Sequence, residues 1–170
     1  MKNQTCCFTG HRKIPPEKYA HIAEQLRAEI RAMINKGVIY FGVGGALGFD
    51  TMAAQAVLEL RNIYPQIKLI LVLPCKTQTR GWSQNDKETY ESIKRACDKH
   101  VYISNEYTYD CMHKRNRHLV NYSNYCICYL TDYSRGGTAY TVKYAKKNGL
   151  TIINLASKNI TNYSKTNRHS

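Results

Sequence analysis

Acidic residues are scarce in this chain, 12 against 25 Lys and Arg, and none follows Asp132. The resulting formal charge of +13 points to an anionic ligand or a polyanionic partner without choosing between them. Long apolar runs are also missing. None reaches the roughly 20 residues that span a bilayer, and Met1-Lys2-Asn3-Gln4-Thr5 leads into a strand pattern without the apolar core of a signal peptide. A cytoplasmic protein with no membrane contact is expected. Disulfide and zinc frameworks are absent as well: the seven cysteines are an odd count, with Cys6 and Cys7 adjacent and Cys75, Cys97 and Cys111 isolated. They fit reduced core residues, and no metal site is expected.

What is present suits one domain. A chain of 170 residues, 43% of them hydrophobic, can bury a substantial core. That domain is expected over residues 1–156, and residues 157–170 read as a basic, frayed tail containing Lys158, Lys165 and Arg168. The tail has two readings, a solubilising terminus or a nucleic-acid arm.

Strand and helix patterns alternate along the domain. Thr5 to Thr9 is a short strand, and Pro15-Pro16-Glu17 opens a helix whose apolar positions Ile22, Leu26, Ile30, Met33 and Ile34 recur at helical spacing up to Gly37. A strand over Val38 to Phe41 and an Ala-rich helix reaching Arg61 come next. The nearly continuous apolar run Ile67 to Leu73, closed by Pro74, suits a parallel strand covered on both faces. A helix over Asn85 to Asp98, a strand at Val101 to Ile103, a helix carrying Arg115, a strand at Tyr125 to Leu130, a further helix ending near Gly149 and a strand at Leu150 to Leu155 complete the series. The class is therefore α/β, a single Rossmann-like, doubly wound and mostly parallel sheet with helices on both faces. In such a sheet the loops at the carboxyl ends of the strands share one edge, where ligands bind.

Four loops fall on that edge. Val43-Gly44-Gly45-Ala46-Leu47-Gly48-Phe49-Asp50 reads as strand, tight turn and helix start, and lacks the Lys-Ser/Thr of a Walker A loop. Gly44, Gly45 and Gly48 permit positive φ and close backbone approach, and the helix start offers unpaired N–H groups, so the loop reads as a phosphate site or as a turn whose glycines only serve packing. The others are Thr9-Gly10-His11-Arg12, the Trp82 loop, and Arg135-Gly136-Gly137-Thr138.

Read in chain order, Thr9-Gly10-His11-Arg12, Gly44 to Asp50, Leu71-Val72-Leu73-Pro74, Trp82, Arg115-Asn116-Arg117 and Gly136-Gly137-Thr138 resemble the SLOG superfamily. That superfamily holds the DprA and Smf DNA-processing proteins and the LOG-type phosphoribohydrolases, and the match is to its YpsA and YoqJ-like branch of Gram-positive bacteria and their phages. The resemblance implies a pocket for a nucleotide or nucleotide-derived ligand, ADP-ribose-type compounds included, and a homo-oligomer. In the LOG-type enzymes a Met-His-Glu-Arg-Lys segment supplies an arginine, and Met112-His113-Lys114-Arg115-Asn116 is similar to it. Their Gly-Gly-x-Gly-Thr-x-x-Glu segment supplies a glutamate, whereas Gly136-Gly137-Thr138 is followed here by Ala139, Tyr140 and Thr141. No carboxylate stands where an oxocarbenium-like transition state needs one.

Three functions follow as expectations. The favoured one is a nucleotide sensor or sink, in which His11, Arg12 and the glycine loops (Gly44, Gly45, Ala46, Gly48; Gly136, Gly137, Thr138) hold phosphate while Arg115, Asn116 or Trp82 meets sugar or base; Trp82 reads equally as a loop anchor packed against a helix. The second is a nucleotide N-glycosidase or transferase with Asp50 as a displaced carboxylate and Arg115 as the other candidate; Asp50 also reads as a helix cap, as does Asp110. The third is single-stranded DNA binding through the basic surface.

Overall fold

The computed structural model describes residues 2–157, so the expected tail lies outside the described residues except for Ser157. The elements are β1 (Thr5–Gly10), α1 (Pro16–Asn35), β2 (Tyr40–Val43), α2 (Phe49–Arg61), β3 (Lys68–Cys75), α3 (Gln84–Ala96), β4 (Lys99–Ser104), α4 (Cys111–Asn121), β5 (Tyr125–Tyr129), α5 (Gly137–Lys147) and β6 (Thr151–Asn154). Their sequence causes are visible locally. Pro16 opens α1, where a missing N–H costs nothing. Ile22, Leu26, Ile30 and Met33 bury one stripe of it, and Gly37 leaves it at φ +93°. The Val38 amide then bonds back to the Met33 carbonyl, so Val38 belongs to the helix stop, and β2 begins two residues later than its apolar pattern suggests.

The six strands form one sheet in the order β4-β3-β2-β1-β5-β6, and every pairing is parallel. Side-chain alternation divides the core between the two faces. Phe8, Phe41, Leu69, Leu71, Leu73 and Ile127 face the layer that includes Leu26 of α1 and Phe49 and Val57 of α2. Cys7, Val72, Cys126 and Cys128 face the layer that includes Leu119 and Val120 of α4 and Val142 of α5. The cysteines are all unbridged, and every one but Cys97 is buried. This is the α/β Rossmann-like arrangement expected from the alternating patterns.

Strand order reverses direction between β1 and β5. The chain runs outward from β1 through β2 and β3 to β4, then returns to place β5 on the other side of β1. The loops leaving the carboxyl ends of β1 and β5 therefore diverge, and a crevice opens between them.

Candidate functional site

That crevice has a volume of about 320 Å³ and is lined by four groups of residues: Thr9 to Arg12 at the carboxyl end of β1 and just past it, Ala46 and Asp50 from the glycine loop and α2, Met112, Arg115 and Asn116 on α4, and Gly137 and Thr138 at the start of α5. Residues scattered over 130 positions of sequence thus share one wall. Among the described residues Asp50 is the carboxylate of that lining, and Arg12 and Arg115 are its guanidinium groups.

Arg115 is the buried cation. It is 4% exposed. Nη1 donates to the Gly44 carbonyl, Nε donates to Asn116 Oδ1 at 2.7 Å, and Nη2 has a thioether, Met112 Sδ, at 3.8 Å. Burial holds its pKa below the ordinary value; the Asp50 charge opposes that shift and Arg12 adds to it. Burial likewise raises the Asp50 carboxyl, against the pull of Arg115, the Ala46 amide and Arg12. The two groups influence each other through the field of the crevice, and each is expensive to keep charged in isolation.

Asp50 sits at the second position of α2, but its side chain turns back into the loop: Oδ2 accepts from the Ala46 amide at 3.2 Å. One backbone donor of the loop is thus already taken by a carboxylate of the same chain. The glycines of the loop are filled in the same sense. A Cβ on Gly44 would stand 2.6 Å from Arg115 Nη1, one on Gly45 2.5 Å from Leu73, and one on Gly48 2.2 Å from the Arg12 carbonyl oxygen. Gly45 and Gly48 also take φ of +74° and +73°, which a side chain would strain. Close packing of chain on chain accounts for these three residues.

The opposite holds at α5. Cβ atoms on Gly136 and Gly137 would meet nothing within 4 Å, and Gly137 and Thr138 bring a helix start, with its unpaired amides, into the same lining as Asp50.

His11 ties the two diverging loops together. Its Nε2 accepts from the Thr131 amide at 2.9 Å, and its ring lies edge-on to Tyr129 with centroids 5.9 Å apart. Arg12, in contrast, is exposed. Trp82 lies apart from the crevice and packs edge-on against Tyr90 at 5.6 Å, beside Gly45, Thr51 and Ile93. The loop-anchor role describes its surroundings. Asp110 occupies the N-cap position of α4 without bonding a helix amide; its carboxylate takes Thr108 Oγ1 at 3.0 Å and Lys114 Nζ at 3.3 Å instead.

One residue of this architecture carries no sequence signal. Gln78 is 7% exposed and its Nε2 donates to the same Gly44 carbonyl at 3.3 Å, while Oε1 is buried without a partner. Glutamine on a polar segment reads as surface, and only the approach of the β3–α3 loop to the glycine turn buries it.

A model of the YpsA family, described as the YspA SLOG family, matches residues 7–163. The chain belongs to that family. It is 31% identical over 139 residues to the uncharacterized SPbeta prophage-derived protein YoqJ of Bacillus subtilis strain 168, an alignment covering 74% of this chain and 81% of YoqJ. A UPF0398 protein of Bacillus cereus strain Q1 is 28% identical over 131 residues, covering 75% of this chain and 71% of its own. Among solved structures, DNA processing protein A of Helicobacter pylori, described for its single-stranded DNA binding mode, superposes with a TM-score of 0.60 at 19% identity. The match covers 98% of this chain and 74% of that one, and it speaks to the fold. Among the described residues of this SLOG protein, no helix is long and apolar enough to cross a membrane.

Proposed function

We propose that the crevice between β1 and β5 binds a nucleotide or nucleotide-derived small molecule, as a sensor or a sink. The observation that carries this reading is Arg115: a guanidinium 4% exposed, facing a 320 Å³ crevice in which, among the described residues, Asp50 is the only carboxylate of the lining. A buried cation without a direct ion-pair partner is costly, and an incoming anion would offset that cost. In this reading phosphate sits between Arg12 and the open start of α5 at Gly137 and Thr138. The sugar or base meets Arg115 and Asn116. Residues Gly44, Gly45 and Gly48 then support the site by letting the chain pack, and Trp82 supports the loop next to it.

The test is a thermal-shift panel of AMP, GMP, NAD, ADP-ribose, cyclic ADP-ribose and a short single-stranded DNA at fixed salt. A ligand at 100 times its Kd adds about 2.7 kcal/mol, visible as a rise in midpoint. One small nucleotide is expected to shift the protein selectively, and Arg115→Lys, which keeps charge but loses the planar fork, to abolish that shift. No response to any nucleotide overturns the proposal.

A second reading, single-stranded DNA binding, is favoured by the +13 charge and by the fold shared with a DNA processing protein. It requires affinity that falls steeply with salt. A shift by DNA alone selects it.

A further inference from the structure

The second face of the sheet is covered over part of its width. On β3, Leu69 and Leu73 are fully buried under the α1–α3 layer, while on the other face Val72 is buried and Ile70 is only half-buried. Val101 and Ile103 of β4 are half-buried on that same side. Together with Val72 they floor a groove of about 520 Å³ beside the C-terminal half of α4, where His118 and Leu119 of the helix and Tyr122 just past it form one wall. Parallel sheets are ordinarily covered by helices on both faces, and this groove is an apolar part of the second face lying beside α4.

Charge identifies the class of occupant. The groove's ionisable lining is Lys2, Lys99 and His118, and none of its lining residues is a carboxylate. A second copy of this chain would bring like charge to like, since each carries +13. The C-terminal segment 158–170 is itself polar and basic, with Lys158, Lys165 and Arg168 and no acid. Neither supplies what the groove lacks: an apolar stripe of helical width bordered by negative charge.

We infer that this groove docks an amphipathic helix of a partner protein whose apolar stripe is flanked by Asp or Glu. The partner helix completes the second helical layer over β3 and β4. Its acids face Lys2 and Lys99, which sit at the amino-terminal side of the groove, on the opposite end of the strands from the nucleotide crevice.

The experiment uses the full chain and two synthetic helical peptides with the same leucine stripe, one bordered by Glu and the other by Lys, read by fluorescence anisotropy. The Glu peptide is expected to bind at least tenfold tighter and to weaken as salt rises. Val101→Asp places a charge on the apolar floor and should abolish binding. Lys99→Glu lies at an exposed position, so its circular dichroism is expected to match the wild type, and it should reverse or erase the preference between the peptides. Equal affinities, indifference to both substitutions, or no binding by either peptide overturns the inference. Sedimentation as a dimer that Val101→Asp dissociates also overturns it, assigning the groove to a second copy.

Discussion

Arg115 and Gly44, 71 residues apart in sequence, fit each other: the guanidinium donates to the glycine carbonyl and fills the space that a side chain there would need, 2.6 Å from a Cβ. The glycine turn thereby fixes the cation, and the cation fixes the turn. Gln78 bonds the same carbonyl from the other side.

The glycines of the two loops should therefore separate into two kinds. Gly44→Ala forces Arg115 to move and is expected to lower stability by about 1–3 kcal/mol, as overpacking does. Gly137→Ala, with open space at its Cβ, should leave the thermal midpoint unchanged or raise it, since alanine favours the helix. On the nucleotide reading, Gly137→Ala weakens ligand binding nonetheless. Equal destabilisation by both variants would contradict this division.

Removing the His11 imidazole should loosen the mouth of the crevice. His11→Ala takes away the acceptor of the Thr131 amide, a loss worth about 1 kcal/mol. Hydrogen exchange is expected to quicken at Thr131 and its neighbours while the β1 core amides stay protected. Unchanged exchange at Thr131 counts against the tie between the loops.

Asp50 should show itself in the pH dependence of stability. Burial raises its folded-state pKa above the ordinary 3.8, with Arg115, the Ala46 amide and Arg12 opposing. The folded state therefore binds this proton more tightly than the unfolded chain, and its contribution to stability declines as pH rises from 3.8 through the raised value. Urea midpoints of the wild type minus those of Asp50→Asn should fall across that window and level off above it. A difference that grows with pH has the wrong sign. The same variant addresses chemistry: if the protein cleaves N-glycosidic bonds with Asp50, Asp50→Asn binds ligand but does not turn it over.

Asp98 should behave in the opposite way. Burial pushes its carboxyl up, but the Leu69 amide, Arg61 and Lys68 outweigh this and hold it below 3.8. The Leu69 amide and Arg61 Nη1 both reach it at 2.8 Å. Its stabilisation is present above pH 3.8 and disappears as pH falls through the lowered value. Asp98→Ala should cost about 1–3 kcal/mol near neutrality, through the lost Arg61 pairing and the stranded Leu69 amide, with the gap to wild type narrowing in acid. A gap that does not narrow below that range refutes the assignment.

The sequence by itself determined the fold. Apolar runs at periods of 2 and 3.6, Pro16 at a helix start and Gly37 at a helix stop are local signals, and each acts through the residues on either side of it. The family was legible for a related reason: its motifs are short and stand in order along the chain. The strand order and the meeting of Thr9 to Arg12, Asp50, Arg115 and Gly137 at one reversal point agree with loops expected at the carboxyl edge.

Tertiary structure alone decided what each loop residue does. Glycine looks the same in sequence whether it yields space to a ligand or to an arginine from 71 positions away, and only the packed chain shows Gly44, Gly45 and Gly48 filled and Gly136 and Gly137 open. Trp82 and Gln78 illustrate the same rule from opposite sides. An aromatic expected over the pocket packs on Tyr90, and a polar side chain with no motif around it ends up buried behind the site. Secondary structure follows from neighbours along the chain, but space, burial and charge at a site are set by neighbours across it.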